Sequence, residues 1–281
     1  MSPPNRILMC PPTHFGVRYE INLWMDTARQ ADDDAAIVQW ERLRATLTGL
    51  GATVDLEEPR PGLPDQVFTA NAGFALGGRA LVASFLHPER QGEEPVHERW
   101  FREAGFETWK TTHILEGAGD LCGGVDVLFA GYGIRSDRRA HAEAAAVLGV
   151  EVVSLEMTDP WLYHLDLVMA PLDARTALVA PHALTAASAR AVGERFADTI
   201  ELTREEAHAF TANCLVLSDR VVMHHCPPRI GRELEARGFE AIESPVGEFL
   251  KGGGGVRCMG LFLDGGPAAP EPVEVAGGAH G

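Results

Sequence analysis

Apolar residues along this chain follow two alternating patterns, one with helical spacing and one typical of short strands. Between residues 32 and 50 the apolar positions fall on one face of a helix. Asp32, Asp33 and Asp34 suit the start of this helix, and Gly51 suits its end. A β-rich segment at 53–56 follows directly. The residues that share the apolar face are Ala36, Trp40, Leu43, Leu47 and Leu50.

The same order of a helix followed by a strand occurs five times. Helices are predicted near 32–50, 94–104, 136–148, 184–197 and 228–237. A strand is predicted after each of them, near 53–56, 106–109, 150–153, 199–202 and 239–242. Further strands are predicted at 80–85, 125–130, 177–180 and 221–223. Self-similarity at a fixed period is the signature of a repeat architecture, so we expect an α/β fold with pseudo-five-fold repeats.

One polar residue stands at a similar place in each repeat. These residues, called the polar row below, are Asn71, Glu116, His164, Asn213 and Cys258, with separations of 45, 48, 49 and 45 residues. Asn71 and Asn213 also share the tetrapeptide Phe-Thr-Ala-Asn. Equivalent positions in such repeats converge on one axis, so a carboxylate, an imidazole and a thiol are expected to meet there. We interpret Asn213 only as a mark of the repeat, without a catalytic role.

Composition and charge exclude several classes of partner. Of the 281 residues, 46% are hydrophobic and 23% are charged, which is typical of an ordinary globular protein. The formal net charge of −16 disfavours nucleic acid and anionic membrane surfaces as partners. We find no apolar run long enough for a transmembrane helix, and the first twelve residues do not resemble a secretory signal.

The cysteines indicate thiols rather than disulfides or a zinc site. They are five in number, widely scattered, and without paired Cys-x-x-Cys spacing: Cys10, Cys122, Cys214, Cys226 and Cys258. Without a secretory signal, reduced thiols in the cytoplasm are expected. His224 and His225 are adjacent on a predicted strand and would point to opposite faces, which argues against a metal site there.

Cys258 follows a run of four glycines and is preceded by Arg257. Glycines allow a close approach of the backbone to a ligand, and a neighbouring arginine is expected to lower the pKa of the thiol. The run lacks the Lys and Ser or Thr of a phosphate-binding loop, and an ordinary flexible loop is the alternative. His164 and Asp166, two residues apart on a predicted strand, would point to the same side. Glu116 is either a site carboxylate or an exposed turn residue.

Three short motifs in this order, LEGAGD, YHLD and GGGGVRCMG, resemble the guanidino-group-modifying superfamily. This superfamily includes arginine deiminases, dimethylarginine dimethylaminohydrolases, amidinotransferases and arginine dihydrolases. The similarity covers essentially the whole chain. It implies a five-bladed α/β propeller, the pentein fold, in a single catalytic domain at 1–265, and 266–281 is expected to be a mobile tail.

The resemblance also implies a catalytic set. Cys258 would attack the guanidinium carbon as a thiolate, and His164 would act as general acid and base. Glu116 and Asp166 would hold the guanidinium by charge-assisted hydrogen bonds. No metal or organic cofactor is implied.

Four more residues are expected to bind the substrate. Arg90 and Arg135 match positions that grip the α-carboxylate in relatives, although surface arginines are common. Asn71 stands where deiminases and many relatives carry an acidic residue, and Asn22 lies in the segment INLWM. This pair of asparagines most resembles the arginine dihydrolases, which convert arginine to ornithine, carbon dioxide and two ammonia. Turn formation is the alternative role for both amides.

Other activities remain open at this point. A dimethylargininase would release dimethylamine and citrulline, a deiminase would stop at citrulline, and an amidinotransferase would pass the amidino group to an amine. A protein of another class, a non-catalytic binding protein on the same fold, is disfavoured because both His164 and Cys258 are kept.

Overall fold

The computed structural model describes residues 5–272, and within them the chain forms the predicted succession of helices and short strands. The strands are β1 (Arg6–Met9), β2 (Thr53–Leu56), β3 (Gly73–Leu76), β4 (Arg79–Val82), β5 (Glu107–Lys110), β6 (Leu121–Gly123), β7 (Leu128–Tyr132), β8 (Val152–Glu156), β9 (Met169–Pro171), β10 (Thr176–Val179), β11 (Asp198–Glu201), β12 (Leu215–Leu217), β13 (Arg220–Met223), β14 (Glu240–Glu243) and β15 (Leu261–Phe262). The helices are α1 (Asp33–Gly49), α2 (Pro88–Gln91), α3 (Glu94–Glu103), α4 (Ala140–Leu148), α5 (Leu165–Val168), α6 (Ala186–Arg195), α7 (Arg204–His208), α8 (Pro228–Glu235) and α9 (Gly247–Leu250).

The strands pair into five sheets of three, all built in the same way. In each sheet the middle strand is antiparallel to one neighbour and parallel to the other, as in the order β3-β4-β5. The parallel partner is reached through a helix: α1, α3, α4, α6 and α8 each connect the middle strand to the next strand. A parallel pair requires such a crossover, whereas the antiparallel pair needs only a tight turn. The predicted mixed α/β fold with five repeated units is confirmed.

The first sheet is completed by the far end of the chain. Strand β15 pairs with β1 in an antiparallel ladder that matches Leu261 with Leu8, and β1 in turn pairs in parallel with β2. Leu8 and Leu261 are both buried. The fifth unit therefore shares a sheet with the first, and the loop with Cys258, just before β15, is anchored next to the N-terminal strand.

The repeated helices are held by caps and by one apolar face each. The Asp32 side chain accepts a hydrogen bond from the Ala35 N–H at the start of α1. Helix α4 ends at Gly149, whose φ of 70° lies in the left-handed region that favours glycine. By contrast, α6 ends without a glycine, and Phe196 leaves it in an extended conformation. On the apolar face of α1, Leu43 and Leu47 are fully buried, and Leu50 at its end is partly buried.

Several element boundaries differ from the prediction, among them the start of one strand and the start of one helix. The strand predicted at 125–130 begins only at Leu128, because residues 124–127 form a turn in which the Gly124 N–H bonds to the Val127 carbonyl and Val125 has a φ of 77°. Helix α4 begins at Ala140, four residues later than predicted. The sequence pattern identifies the elements, but turns at their ends are fixed by local backbone hydrogen bonds.

Part of the predicted tail packs against the rest of the chain. The Ala268 carbonyl accepts a hydrogen bond from the Val125 N–H, and Pro270 is buried. The remainder of the tail, 273–281, lies outside the described residues. Among the helices of residues 5–272, none is long and apolar enough to cross a membrane.

Candidate active site

Each member of the polar row stands just before the first strand of a sheet. Asn71 lies in a short 3-10 turn before β3, and Cys258 lies in a similar turn before β15. Glu116 precedes the 3-10 turn Gly117–Gly119, which leads into β6. His164 and Asn213 precede β9 and β12 in the same way. The five residues thus occupy equivalent places in the five sheets.

Three pairs of neighbours in the polar row are in contact. Asn71 Nδ2 donates to the Glu116 carbonyl at 2.9 Å, and Glu116 Oε2 lies 2.7 Å from His164 Nε2. Asn213 Nδ2 lies 3.1 Å from Cys258 Sγ. All five are buried. The carboxylate of Glu116 therefore meets the imidazole of His164, and Asn71 links this pair to Cys258 through a cavity that both Asn71 and Cys258 line.

Glu116 is the most heavily engaged carboxylate of the site. Its Oε2 accepts from Arg135 Nη1 at 3.0 Å as well as contacting His164, and its Oε1 accepts from the Leu86 N–H at 3.1 Å. Burial alone would raise the pKa of Glu116, but Arg135 and His164 outweigh it and hold the pKa well below its usual value. Glu116 is therefore ionised across the physiological range, and the alternative of an exposed turn residue is wrong.

The prediction that His164 and Asp166 lie on one strand is wrong. His164 is extended, but the next four residues form the short helix α5, with Asp166 inside it. The alternation of polar and apolar residues here indicates a strand, whereas Asp120 Oδ1 accepts from the Leu165 N–H at 3.1 Å, at the start of the helical turn. As a result, His164 contacts Glu116, and Asp166 contacts Cys258 instead.

Cys258 carries a protonated thiol in this arrangement. Its Sγ lies 3.4 Å from Asp166 Oδ2, and burial together with the charge of Asp166 raises the pKa of the thiol well above its usual value. The pKa of the thiol is thus not lowered overall, although the Arg257 guanidinium and a Cys258 thiolate attract each other. Arg257 turns its guanidinium to the Gly260 carbonyl and the Phe262 ring, and burial outweighs any attraction from it. A cation that lowers this pKa must come from elsewhere.

Asn213 is a site residue that sequence reasoning missed. Its Nδ2 contacts the thiol, and its Oδ1 accepts from the Arg257 N–H at 2.9 Å and lies 3.4 Å from the Cys258 nitrogen. The side chain thus fixes the turn that presents the nucleophile and also offers a donor to its sulfur. The repeated tetrapeptide around Asn71 and Asn213 was the available signal.

Replacement of Asn213 by alanine is expected to lower kcat/KM about a hundredfold, as for other lost donors to a developing anion. The thiolate loses its hydrogen-bond donor, so the pKa of Cys258 rises further and the activity profile moves to higher pH. Measuring kcat/KM against pH for Asn213→Ala and for the distant Asn5→Ala checks this. An unshifted profile in Asn213→Ala would show that the amide serves the fold alone.

The two predicted carboxylate-binding arginines are buried and held by carboxylates. Arg90 donates to both oxygens of Glu93, at 2.9 and 2.7 Å, and its Nη1 donates to Asn71 Oδ1 at 3.0 Å. Arg135 donates to Glu116 and, at 2.7 Å, to the Ile21 carbonyl. Neither is a surface arginine, since their exposed fractions are 3% and 6%.

Cys258 lines a small cavity of about 10 Å³. It is lined by Ile21, Asn22, Asp65, Phe68, Asn71, Arg90, Arg135, Tyr163, Gly252, Gly254 and Cys258. Asn22, Asn71, Arg90 and Arg135 are therefore brought together with the nucleophile. Asp166 instead lines a second cavity, which it shares with Arg257. Chemically, the first cavity offers a thiol, two amides and two guanidinium groups in a buried setting.

Asp65 is a second residue that the sequence did not identify. Its carboxyl is buried with Oδ1 unpaired, and burial raises its pKa to about 7, although Arg90 opposes this shift. An unpaired buried carboxyl on the cavity wall can accept a hydrogen bond from a cationic ammonium group. Nothing distinguishes Asp65 in the sequence from a turn aspartate that follows a proline.

Asn22 connects the N-terminal segment to the glycine run. Its Nδ2 donates to the Gly252 carbonyl at 3.2 Å, and its Oδ1 accepts from the Trp24 N–H at 2.9 Å. A Cβ on Gly253 would lie 2.7 Å from the Asn22 amide, and one on Gly254 would lie 2.3 Å from the Phe68 ring. The glycine run is thus closely packed against its neighbours, and the alternative of a loose loop is wrong.

No group of three histidine, cysteine or acidic side chains that could hold a metal ion occurs in residues 5–272. His224 accepts from the Val246 N–H, while His225 pairs with Glu243. The two histidines therefore have separate structural partners.

Comparisons with known proteins give this geometry a context. The family described as N,N dimethylarginine dimethylhydrolase, eukaryotic, matches residues 11–262. The N(G),N(G)-dimethylarginine dimethylaminohydrolase of Mycobacterium tuberculosis is 43% identical over 258 residues, which are 92% of this chain and 85% of that protein.

A second relative carries a different activity in its name. The bifunctional arginine dihydrolase/ornithine cyclodeaminase ArgZ of Synechocystis is 40% identical over 263 residues, which are 91% of this chain but only 37% of ArgZ. A crystal structure of the N-terminal domain of a cyanobacterial ArgZ, a cysteine-to-serine variant bound to substrate, has a TM-score of 0.90 at 38% identity and covers 94% of this chain and 99% of that domain. The chain belongs to the dimethylarginine dimethylaminohydrolase family and is a hydrolase that acts on guanidino groups.

Proposed function

We propose that this enzyme is an arginine dihydrolase, which hydrolyses arginine twice and yields ornithine, carbon dioxide and two ammonia. The observation that carries the proposal is the amide of Asn71, which sits on the cavity wall between Arg90 and Glu116. A carboxylate at this place would favour a cationic guanidinium and release a neutral ureido product. An amide has a donor and an acceptor, so it can also hold the ureido group of citrulline for a second attack.

The similarity to ArgZ supports the same reading, because that protein is named as an arginine dihydrolase. This chain matches only the N-terminal part of ArgZ, so nothing is transferred from the cyclodeaminase half. We also propose that the five sheets are the blades of a five-bladed propeller in one domain, with the site on its axis. The equal topology of the sheets, the contacts within the polar row and the pairing of β15 with β1 support this arrangement.

In the proposed mechanism, the guanidinium of arginine is held by Glu116 and Asp166, and Arg90 and Arg135 face the α-carboxylate. The bound guanidinium places a positive charge beside Cys258, and this charge lowers the pKa of the thiol. The thiolate then adds to the guanidinium carbon and forms an S–C bond.

The first hydrolysis follows from this adduct. His164 donates a proton to one amino group, the C–N bond breaks, and ammonia leaves an amidino group on the sulfur. The same imidazole takes a proton from water, which adds to the amidino carbon; the S–C bond then breaks and citrulline forms. Ionised Glu116, 2.7 Å from Nε2, stabilises the imidazolium at each stage.

The second cycle repeats these steps on the ureido carbon. Cys258 adds again, the second ammonia leaves, and a thiocarbamate remains on the sulfur. Water releases it as the carbamate of ornithine, which decomposes to ornithine and carbon dioxide. Asn22 and Asn71 are proposed to keep citrulline in the cavity long enough for this cycle.

The decisive experiment is the product balance of the purified protein with arginine. We expect two ammonia and one ornithine per arginine, and we expect Asn71→Asp to stop mainly at citrulline with one ammonia. The aspartate keeps an acceptor for Arg90 but loses the donor to the Glu116 carbonyl, and its charge no longer suits a neutral ureido group.

Mass spectrometry with parallel quantification of ammonia measures this balance. Asn5→Asp makes the same chemical change far from the cavity and should leave two ammonia per arginine. A wild-type protein that accumulates citrulline and yields one ammonia would refute the dihydrolase proposal.

A second candidate activity is hydrolysis of dimethylarginine to citrulline and dimethylamine. The family match and the 43% identity to the mycobacterial enzyme favour it. Comparing kcat/KM for arginine and for dimethylarginine separates the two, because release of dimethylamine at the higher kcat/KM would assign this second activity.

A further inference from the structure

Four buried charged side chains form a chain that leads from helix α3 to Asn71. In order they are Glu57, His97, Glu93 and Arg90, and none exposes more than 3% of its surface. Glu57 follows β2, His97 lies inside α3, Glu93 precedes α3, and Arg90 lies in α2. Apart from Arg90, none of them belongs to the proposed catalytic machinery, and the sequence gives no sign that they are buried.

His97 joins the two carboxylates of this chain. Its Nδ1 is hydrogen-bonded to Glu57 Oε1 at 3.0 Å, whereas its Nε2 makes an ion-pair contact with Glu93 Oε2 at 3.5 Å without a hydrogen bond. The other oxygen of Glu57 accepts from Gln66 Nε2 at 2.9 Å. Gln66 neighbours the cavity residue Asp65 in the same 3-10 turn, so the outer end of the chain is also tied to the cavity wall.

The inner end of the chain determines how the Asn71 amide is oriented. Glu93 receives two hydrogen bonds from Arg90, whose Nη1 donates to Asn71 Oδ1 at 3.0 Å. Asn71 Nδ2 then faces the Glu116 carbonyl. A side-chain amide has a donor NH₂ group and an acceptor oxygen. Because arginine can only donate, it can form a hydrogen bond only with the oxygen of the Asn71 amide. Displacement of Arg90 would therefore free the amide to rotate.

The charges of these four side chains balance only when His97 is an imidazolium. Glu57 and Glu93 carry two negative charges, and Arg90 with protonated His97 carries two positive charges. Burial alone would lower the pKa of His97, but Glu57 and Glu93 raise it to about 9. The thiol of Cys10 also faces the two carboxylates, and burial together with their charges raises its pKa, so it stays neutral.

We propose that His97 is a positioning residue, which holds Glu93 and Arg90 in place and thereby fixes the Asn71 amide that retains citrulline for the second hydrolysis. The inference rests on the proposed dihydrolase function. Without the imidazolium, the chain keeps one uncompensated buried carboxylate. Arg90 is then drawn away from Asn71 toward that excess charge.

The test compares two buried histidines that each lie in a repeated helix. His97→Gln removes the imidazolium. His141→Gln instead changes a histidine of α4 whose Nδ1 lies 2.7 Å from Ser154 Oγ and whose pKa burial lowers to about 4. For His97→Gln we expect a KM for arginine about tenfold higher, within the range for members of one network, and a fall from two ammonia per arginine toward one. His141→Gln should change neither quantity per folded molecule.

A double variant separates a charge effect from a loss of packing. His97→Gln combined with Glu57→Gln restores the balance of charges, so it should recover both KM and the ammonia ratio. If His97→Gln does not fold, Glu57→Gln alone carries the test, since it lowers the pKa of His97. With Glu57 replaced, the charges are balanced by a neutral His97, so the ammonia ratio should stay at two as the pH rises through about 9, where the wild type loses the imidazolium and its ratio falls.

Two results would overturn the inference. One is an unchanged KM and ammonia ratio in His97→Gln, and the other is an equal change in His141→Gln. If the wild type itself releases one ammonia, the dihydrolase proposal fails separately. The positioning role is then decided by KM alone, which must rise in His97→Gln and recover in the double variant.

Discussion

Cys258→Ala is expected to lower the turnover of arginine by at least about 10⁴-fold, because removal of a covalent nucleophile leaves only binding and charge stabilisation. Sγ is the one atom of the site that forms a bond to substrate carbon in the proposed mechanism. Burial and Asp166 raise the pKa of the thiol, so the thiol is uncharged. Its replacement by alanine therefore removes no buried charge, and the fold should be retained. Arginine should still bind, because the arginines and amides of the cavity remain.

The matched control is Cys214→Ala. Cys214 has the same exposed fraction as Cys258, 3%, but it lines the second cavity instead of the first. Its variant should keep near-wild-type kcat per folded molecule. Steady-state kinetics and mass spectrometry of the intact protein during turnover measure both effects. Turnover by Cys258→Ala within tenfold of the wild type would exclude a covalent mechanism at this residue.

Glu116→Gln should be the next most damaging change, with kcat/KM lowered about 10³-fold, as for other electrostatic groups of active sites. The variant removes the charge that faces both Arg135 and His164. It also leaves a buried arginine without its carboxylate, which typically costs about 3 kcal/mol of stability. We therefore expect lower activity and a lower Tm together.

The contribution of Glu116 to the free energy of unfolding depends on pH because the pKa of Glu116 is lower in the folded state. The folded-state pKa of Glu116 lies below its usual 4.5, so its stabilisation is fully present above about pH 4.5 and is lost as the pH falls through the lower folded value. Unfolding curves from pH 5 to 7 should thus show the wild type and the variant separated by a nearly constant difference. Glu143→Gln is the control, since Glu143 also pairs with a histidine, His113, but near the surface. A Tm and a kcat/KM equal to those of Glu143→Gln would contradict the role of Glu116.

The polar row could be predicted because it depends only on spacing along the chain. Equivalent positions in five similar units must come close together once each unit forms its own sheet. Glu116 contacts His164, and Cys258 contacts Asn213, as this rule predicts for neighbours in the row. Asn213 is placed by the same rule, but spacing does not show that its amide reaches a sulfur atom.

The buried chain through His97 could not be predicted, for a different reason. Glu93 and His97 stand at the start of an amphipathic helix, where polar residues are normally solvated. They become inaccessible only through long-range packing, in which His97 meets Glu57 and Glu93 meets Arg90. Likewise, the alternation around His164 indicates a strand, and a single hydrogen bond from the Leu165 N–H to Asp120 accompanies a helical turn instead. The local pattern of polar and apolar residues does not indicate such long-range partners.

The glycine run before Cys258 limits the order in which this enzyme can accept mutations. An alanine at 254 would collide with Phe68, and one at 255 would place its Cβ 2.6 Å from Asn213 Oδ1. A Cβ at 254 becomes tolerable only after Phe68 is replaced by a smaller residue, and a Cβ at 255 only after Asn213 is replaced by one. Replacement of Asn213, however, is expected to lower activity at once. In laboratory evolution toward other guanidino compounds, Phe68 is therefore expected to be substituted first, and Gly255 is expected to stay unchanged throughout.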